Sequence, residues 1–235
     1  MYRGPRLAAT AAARDTLDGM QVADAIRERR SIKRFTAAPV SREQIESLVS
    51  AAVLAPNHRL TEPWRFYVLG PAAREAYGRV LGGRKAKKID DPAAAQTTID
   101  NVAREHRALP AMIAVAIVLN ASPDIVEEDH AAAMMAIENL SLLAVAMGLG
   151  THIKTGAIMA DPSARAAVGV RDDERIVAIV NVGVPAETPA PKPRASPAPT
   201  TGSRRKRLPL SKIELELRDG RYLLAYSRAR LPTDA

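Results

Sequence analysis

Ala55-Pro56-Asn57-His58-Arg59-Leu60-Thr61-Glu62-Pro63-Trp64-Arg65-Phe66 is the stretch on which the fold turns. Pro56 has no amide hydrogen and fixes its own φ, so a helix arriving from the N-terminal side stops there. That helix is predicted over Ser41 to Ala55: Ser41 is a good N-cap, Gln44 stands three residues on as in a capping box, and Ile45, Leu48 and Ala52 form an apolar stripe. Beyond Pro63 the run Arg65-Phe66-Tyr67-Val68-Leu69 is rich in aromatic and β-branched side chains and predicts a buried strand. The quoted stretch is therefore a loop carrying the chain from a helix into a strand, and it holds the only tryptophan.

Working outward, Met20 to Arg30 places Val22, Ala25 and Ile26 at helical spacing and closes on Arg27, Arg29 and Arg30, which predicts an amphipathic helix with a basic C-terminal edge. Ala72 to Leu81 predicts another helix, and Gly82 to Pro92, with Arg84, Lys85, Lys87 and Lys88 beside a glycine pair, an exposed charged loop. Ala111 to Leu119 reads as a second strand. Asp129 to Met147 reads as a long helix ended by Gly148 and Gly150, Pro162 to Val168 as a short helix, and Ile176 to Val184 as a third strand. Helices and strands alternate irregularly with no repeat, which points to an α+β sheet with flanking helices rather than a doubly wound sheet or a solenoid.

A chain of 235 residues suits one hydrophobic core with appendages. The expected division is an N-terminal extension over residues 1–19, a core domain over 20–195 and a basic C-terminal extension over 196–235. No apolar run reaches the roughly 18 to 20 residues of a bilayer span. The first nineteen residues lack an apolar segment before a cleavage site, and cysteine is absent, so no membrane partner, no disulfide framework and a cytoplasmic location are expected. The net charge of +8 is unevenly placed. From Lys192 onward eleven Lys or Arg face four Asp or Glu, the first nineteen residues add one positive charge, and Met20 to Pro191 is left neutral. A nucleic-acid partner is therefore not expected for the core and stays open for the tail. Prolines crowd Pro185 to Pro199 and favour extended backbone. Asp219-Gly220, between Ile213–Leu217 and Tyr222–Tyr226, signals a hairpin.

Arg29-Arg30-Ser31 with Lys33 gathers three cations and a hydroxyl at a helix-to-loop junction. Such a group can neutralise a phosphate through charge-assisted hydrogen bonds, and a solvated helix end is the plain alternative. Four features then occur in order: Arg29-Arg30-Ser31, the capping turn Pro39-Val40-Ser41, a helix closing on Ala55-Pro56, and Pro63-Trp64-Arg65-Phe66 entering the first strand. Together they resemble the flavin-dependent nitroreductase family, in particular its small single-domain FMN-binding members. Met147-Gly148-Leu149-Gly150-Thr151-His152-Ile153-Lys154-Thr155-Gly156 is similar to the family's Gly-Leu-Gly turn and the loop that lies against the isoalloxazine ring. Asn181 to Glu187, with Pro191-Lys192-Pro193-Arg194, is similar to its last core strand and the basic residues that reach the FMN phosphate. The resemblance covers residues 20 to 195.

It implies a mixed or antiparallel sheet flanked by helices in an intertwined homodimer, with FMN at the interface and NADH or NADPH as hydride donor. Hydride would pass through flavin N5 to a small oxidised acceptor (nitroaromatic, quinone or enone) in a ping-pong cycle, with no protein nucleophile or metal. By position, Arg29, Arg30, Ser31 and Lys33 would hold phosphate, ribityl and the pyrimidine edge. Pro56, Asn57, His58 and Leu60 would come from the other subunit, although His58 also reads as a satisfied loop histidine. Ile153, Lys154 and Thr155 would cover the ring near N5, and Arg194 would complete the phosphate pocket. Lys33 or Lys154 would favour the reduced ring by charge. Trp64 reads as core, and His106, His130 and His152 lack the partner spacing of a metal site. Acceptor contacts are expected between Tyr67 and Asn101. Two alternatives accompany this reading. One is a specialised flavoenzyme of the same fold, such as a dehydrogenase, a dehalogenase or a flavin-consuming enzyme. The other is a non-enzymatic flavin- or nucleic-acid-binding protein acting through its basic tail.

Overall fold

The computed structural model describes residues 20–194 together with 211–216 and 222–227. Helix α1 spans Val22–Glu28, α2 Arg42–Ala52, β1 Trp64–Val68, α3 Pro71–Ala86, α4 Pro92–Arg107 and β2 Ala111–Val118. They are followed by α5 at Pro123–Ala146, β3 at Gly150–Lys154, a short 3₁₀ turn at Ala157–Ala160, α6 at Pro162–Val168 and β4 at Glu174–Gly183. The sheet order is β1-β2-β4-β3, with every pair antiparallel. The architecture is α+β, as the irregular alternation of elements implies. Among the described residues no helix is long and apolar enough to cross a membrane.

The chain divides into two compact units, Met1–Pro189 and Ala190–Ala235. Within the second, β5 (Ser211–Glu216) pairs antiparallel with β6 (Tyr222–Ser227), the hairpin foreseen from Asp219-Gly220. The connecting residues 217–221, like the extension 1–19, lie outside the described residues.

The central strands explain themselves. β2 is Ala-Met-Ile-Ala-Val-Ala-Ile-Val and buries all but its last residue, as a strand covered on both faces must. One face meets α2 and α5: Leu48, Ile113, Ile137, Leu140 and Val180 are fully buried there. The other meets α3 and α6 through Tyr77, Met112, Ile179 and Ala164. Each such large side chain contributes about 1.5–3 kcal/mol. The capping box at α2 is present as predicted: Ser41 Oγ accepts the Gln44 amide at 3.2 Å, and Gln44 Oε1 accepts the Ser41 amide at 2.9 Å.

Three sequence expectations are corrected. The strand after Pro63 is an edge strand, with Arg65 and Val68 exposed, because it pairs with β2 alone. Gly82 to Pro92 is not a loop at its start, since α3 runs on to Ala86 and buries Gly82 against α4. A Cβ on Gly82 would stand 2.8 Å from Ile99 Cα, and one on Gly78 2.9 Å from Ala103 Cα, so both glycines permit close helix packing. Gly150 does not end α5 but opens β3, a strand the sequence reading took for a turn.

Candidate functional site

The cationic segment after α1 lies along the end of β3. Ile32 N–H donates to Thr151 O at 2.9 Å and Ser31 bridges Thr151, after which Thr36 N–H donates to Val184 O at 2.9 Å. This approach depends on Gly150, because an added Cβ would fall 2.4 Å from Ile32 Cγ1. Ile32 is buried, so its neighbours Ser31 and Lys33 are turned outward and exposed. Arg29 pairs with Glu138 of α5 at 3.2 Å. Arg30 Nη1 donates to the carbonyls of Arg27 and Arg29, whereas its Nε is buried without a partner. Arg30 also lines a cavity of about 380 Å³ with Ile32, Val145, Gly148, Leu149 and Pro185.

The loop after α2 is braced on α5 of the same chain. Asn57 Oδ1 accepts the Glu62 amide at 2.8 Å and Asn57 Nδ2 donates to Thr61 Oγ1 at 3.1 Å, so both ends of this amide are spent inside the loop. The closure holds Leu60 and Glu62 at φ of 50° and 44°, left-handed values uncommon for such residues. His58 Nδ1 and Arg59 Nε both lie 3.1 Å from Glu128 Oε2, and these contacts, His58 first, hold the Glu128 carboxyl below its ordinary range. Pro56 and Leu60 are left outward, Leu60 at 81% exposure. Glu128 and Glu138 are ten residues apart on α5, about 15 Å along the axis.

β3 separates its own candidates by alternation. Ile153 packs on the α5 face of the core, whereas Lys154 turns to the opposite face and places Nζ 3.3 Å from His106 Nε2 of α4. Burial, then Lys85, lowers the Lys154 pKa, and burial, then Lys154 and Lys33, lowers that of His152. Lys33, His152 and Lys154 thus share an electropositive edge. Thr155 is exposed and lines a second cavity of about 840 Å³ with Val126, His130, Met134, Met159 and Arg175. Arg194 is an exposed residue of the second unit. Sequence reading missed His152 and His106 as site neighbours. The signal available was the alternation of Thr151, His152, Ile153 and Lys154, legible only once that segment is known to be a strand.

Comparison with known proteins bears on the fold and the family. The description "Nitroreductase family" matches residues 26–184. YfhC of Bacillus subtilis, whose name assigns it to the NAD(P)H nitroreductases, is 34% identical over 171 residues, 73% of this chain and 88% of that protein. A nitroreductase-like family protein from Bacillus cereus superposes with a TM-score of 0.66 at 27% identity, covering 76% of this chain and 93% of that one. A nitroreductase with bound FMN from Bacteroides fragilis superposes with a TM-score of 0.61 at 20% identity, covering 80% of this chain and all of that one. The chain belongs to the nitroreductase family.

Proposed function

We propose that this protein is an oxidoreductase that holds FMN between two copies of the chain and passes hydride from NADH or NADPH to a small oxidised acceptor, donor and acceptor using one slot in turn. The observation that carries the proposal is Arg30. Its Nε is buried without a partner beside a cavity, in a segment that presents Ser31 and Lys33 outward along an electropositive edge. A buried guanidinium nitrogen without an acceptor is costly, and a phosphate oxygen would satisfy it through a charge-assisted hydrogen bond. The residues present therefore suit FMN. Arg29 and Arg30 would hold its phosphate, Ser31 its ribityl chain and Lys33 its pyrimidine edge. Ile153, Lys154 and Thr155 would border the ring. FMN, when bound, supplies the two-electron chemistry, while the protein orients it and limits water access.

The second copy is proposed on two grounds. The His58 loop and the arginine cluster meet α5 at points about 15 Å apart, and on this reading Pro56, His58 and Leu60 would serve the neighbour's flavin, with Asn57 shaping the loop. The second ground is an outward apolar stripe on α5, formed by Ala131, Met135, Leu142 and Ala146. Helix α1 likewise exposes Val22 at 71% and Ile26 at 57%, and Leu54, just past α2, is 73% exposed. A patch of this kind marks a contact surface. This reading carries with it a cytoplasmic location and an acceptor drawn from nitroaromatics, quinones or enones.

The test is the visible spectrum of the purified protein. A yellow preparation, bleached anaerobically by NADPH or NADH and dimeric by sedimentation, is expected. Met135→Asp should sediment as a monomer and lose flavin. Colourless material that does not take up added FMN would end the proposal, and a monomer that retains FMN would end its dimeric part.

A further inference from the structure

Lys154 stands at the end of β3, two residues before Gly156, and its side chain crosses to the α3/α4 layer. The group that receives it is specified on every side. His106 is 6% exposed in the last turn of α4, and its Nδ1 lies 2.8 Å from Val102 O. A carbonyl can only accept, so Nδ1 carries a proton, and in the neutral ring Nε2 then offers a lone pair. That lone pair faces Lys154 Nζ at 3.3 Å, and an ammonium can only donate. The two roles interlock. The ring is further held by Tyr77 of α3, with centroids 6.0 Å apart at 47°. Lys85 of α3, Glu105 of α4 and His152 of β3 complete the charged and titratable surroundings of the pair.

We propose that His106 is a positioning residue: its neutral Nε2 anchors Lys154 on the α3/α4 side of β3, which fixes the backbone from Ile153 to Thr155 that borders the flavin. The proposal rests on the FMN reading given above. Protonation of His106 removes the lone pair aimed at Lys154 and sets two cations against each other, so the anchor is lost on acidification. Burial, Lys154 and Lys85 lower the His106 pKa, so loss occurs below the ordinary histidine value of 6.5 and the anchor is in place at neutral pH.

Two variants of the full chain separate positioning from packing. His106→Gln retains an acceptor but does not titrate, and His106→Leu retains bulk without an acceptor. The first readout needs no flavin: the Lys154 ammonium resonance in lysine-labelled protein, assigned with Lys154→Met. Its nitrogen chemical shift should be that of a hydrogen-bonded ammonium in the wild type and in His106→Gln at neutral pH, and should move to that of a solvated lysine in His106→Leu and in acidified wild type. The second is the FMN dissociation constant against pH. His106→Leu should bind roughly threefold to tenfold more weakly at neutral pH, the ratio set by one ordinary hydrogen bond. The wild type should weaken on acidification, and His106→Gln should match it at neutral pH yet stay flat. A Lys154 shift that is unchanged in His106→Leu overturns the anchor. Equal FMN binding by the Gln and Leu variants overturns its link to the flavin. A wild type that shows the expected Lys154 signals but takes up no FMN places the failure in the function proposed above and leaves the pairing intact.

Discussion

Replacing Gly150 by alanine puts a methyl carbon 2.4 Å from Ile32 Cγ1, 3.1 Å from Ile32 Cβ and 3.0 Å from Pro185 Cγ. Ile32 is 3% exposed and stiff at χ1, and its amide is tied to Thr151 O, so it cannot swing aside without lifting the segment from Arg30 to Lys33. Overpacking of this kind costs about 1–3 kcal/mol. The reduced freedom of the unfolded chain returns about 0.4–1 kcal/mol, leaving a net loss of about 0–2.6 kcal/mol. Ile32→Ala alone, by opening a cavity, should cost about 2–5 kcal/mol. The double variant is the decisive member, because the new methyl enters the space that the isoleucine vacates. Its loss should be smaller than the sum of the two single losses by about 1 kcal/mol or more. Urea unfolding of all four proteins at one protein and one FMN concentration measures the cycle. FMN affinity should fall in both single variants. Additivity within about 0.5 kcal/mol would refute the idea that Gly150 exists to admit Ile32.

Two further outcomes follow from the rest of the fold. Ser41→Ala removes the side-chain half of the α2 capping box and should cost about 1 kcal/mol, or about 2–4 °C in Tm, with flavin content unchanged; a melting curve identical to the wild type would show the box to be idle. Tyr67 donates its hydroxyl proton to the buried carboxylate of Glu174, and burial, aided by that bond, pushes its pKa up to about 12, while burial alone takes Tyr77 to about 12. Both tyrosines should resist ionisation past the ordinary value of 10.0, as read by absorbance near 295 nm, and Tyr67→Phe should remove one late step. Since the unfolded chain loses these protons near pH 10 and the folded chain keeps them, their contribution to stability is whole below pH 10 and is lost as pH rises towards 12. Midpoints at 10 for both would contradict the burial described here.

Much of the fold was legible where structure is local. Ser41 with Gln44 fixes the start of α2 by hydrogen bonds among neighbours, Pro56 forbids the helix to pass, and the apolar run of β2 has no stable place except between two covered faces. The order of Arg29-Arg30-Ser31, the capping turn and Pro63-Trp64 likewise exposed the family from sequence alone, because motif spacing is a property of the chain. What tertiary structure decided is every feature whose partner is remote. Thr151 to Lys154 form a strand only because β4 supplies the matching amides and carbonyls. Gly82 continues a helix past Leu81 because α4 packs where its side chain would be. Lys154 finds His106 across 48 residues of sequence, and strand alternation, invisible while the segment read as a turn, sends it away from Ile153. A residue's local preference is written in its neighbours, whereas the face it presents and the group it meets depend on contacts that exist only after the chain has closed on itself.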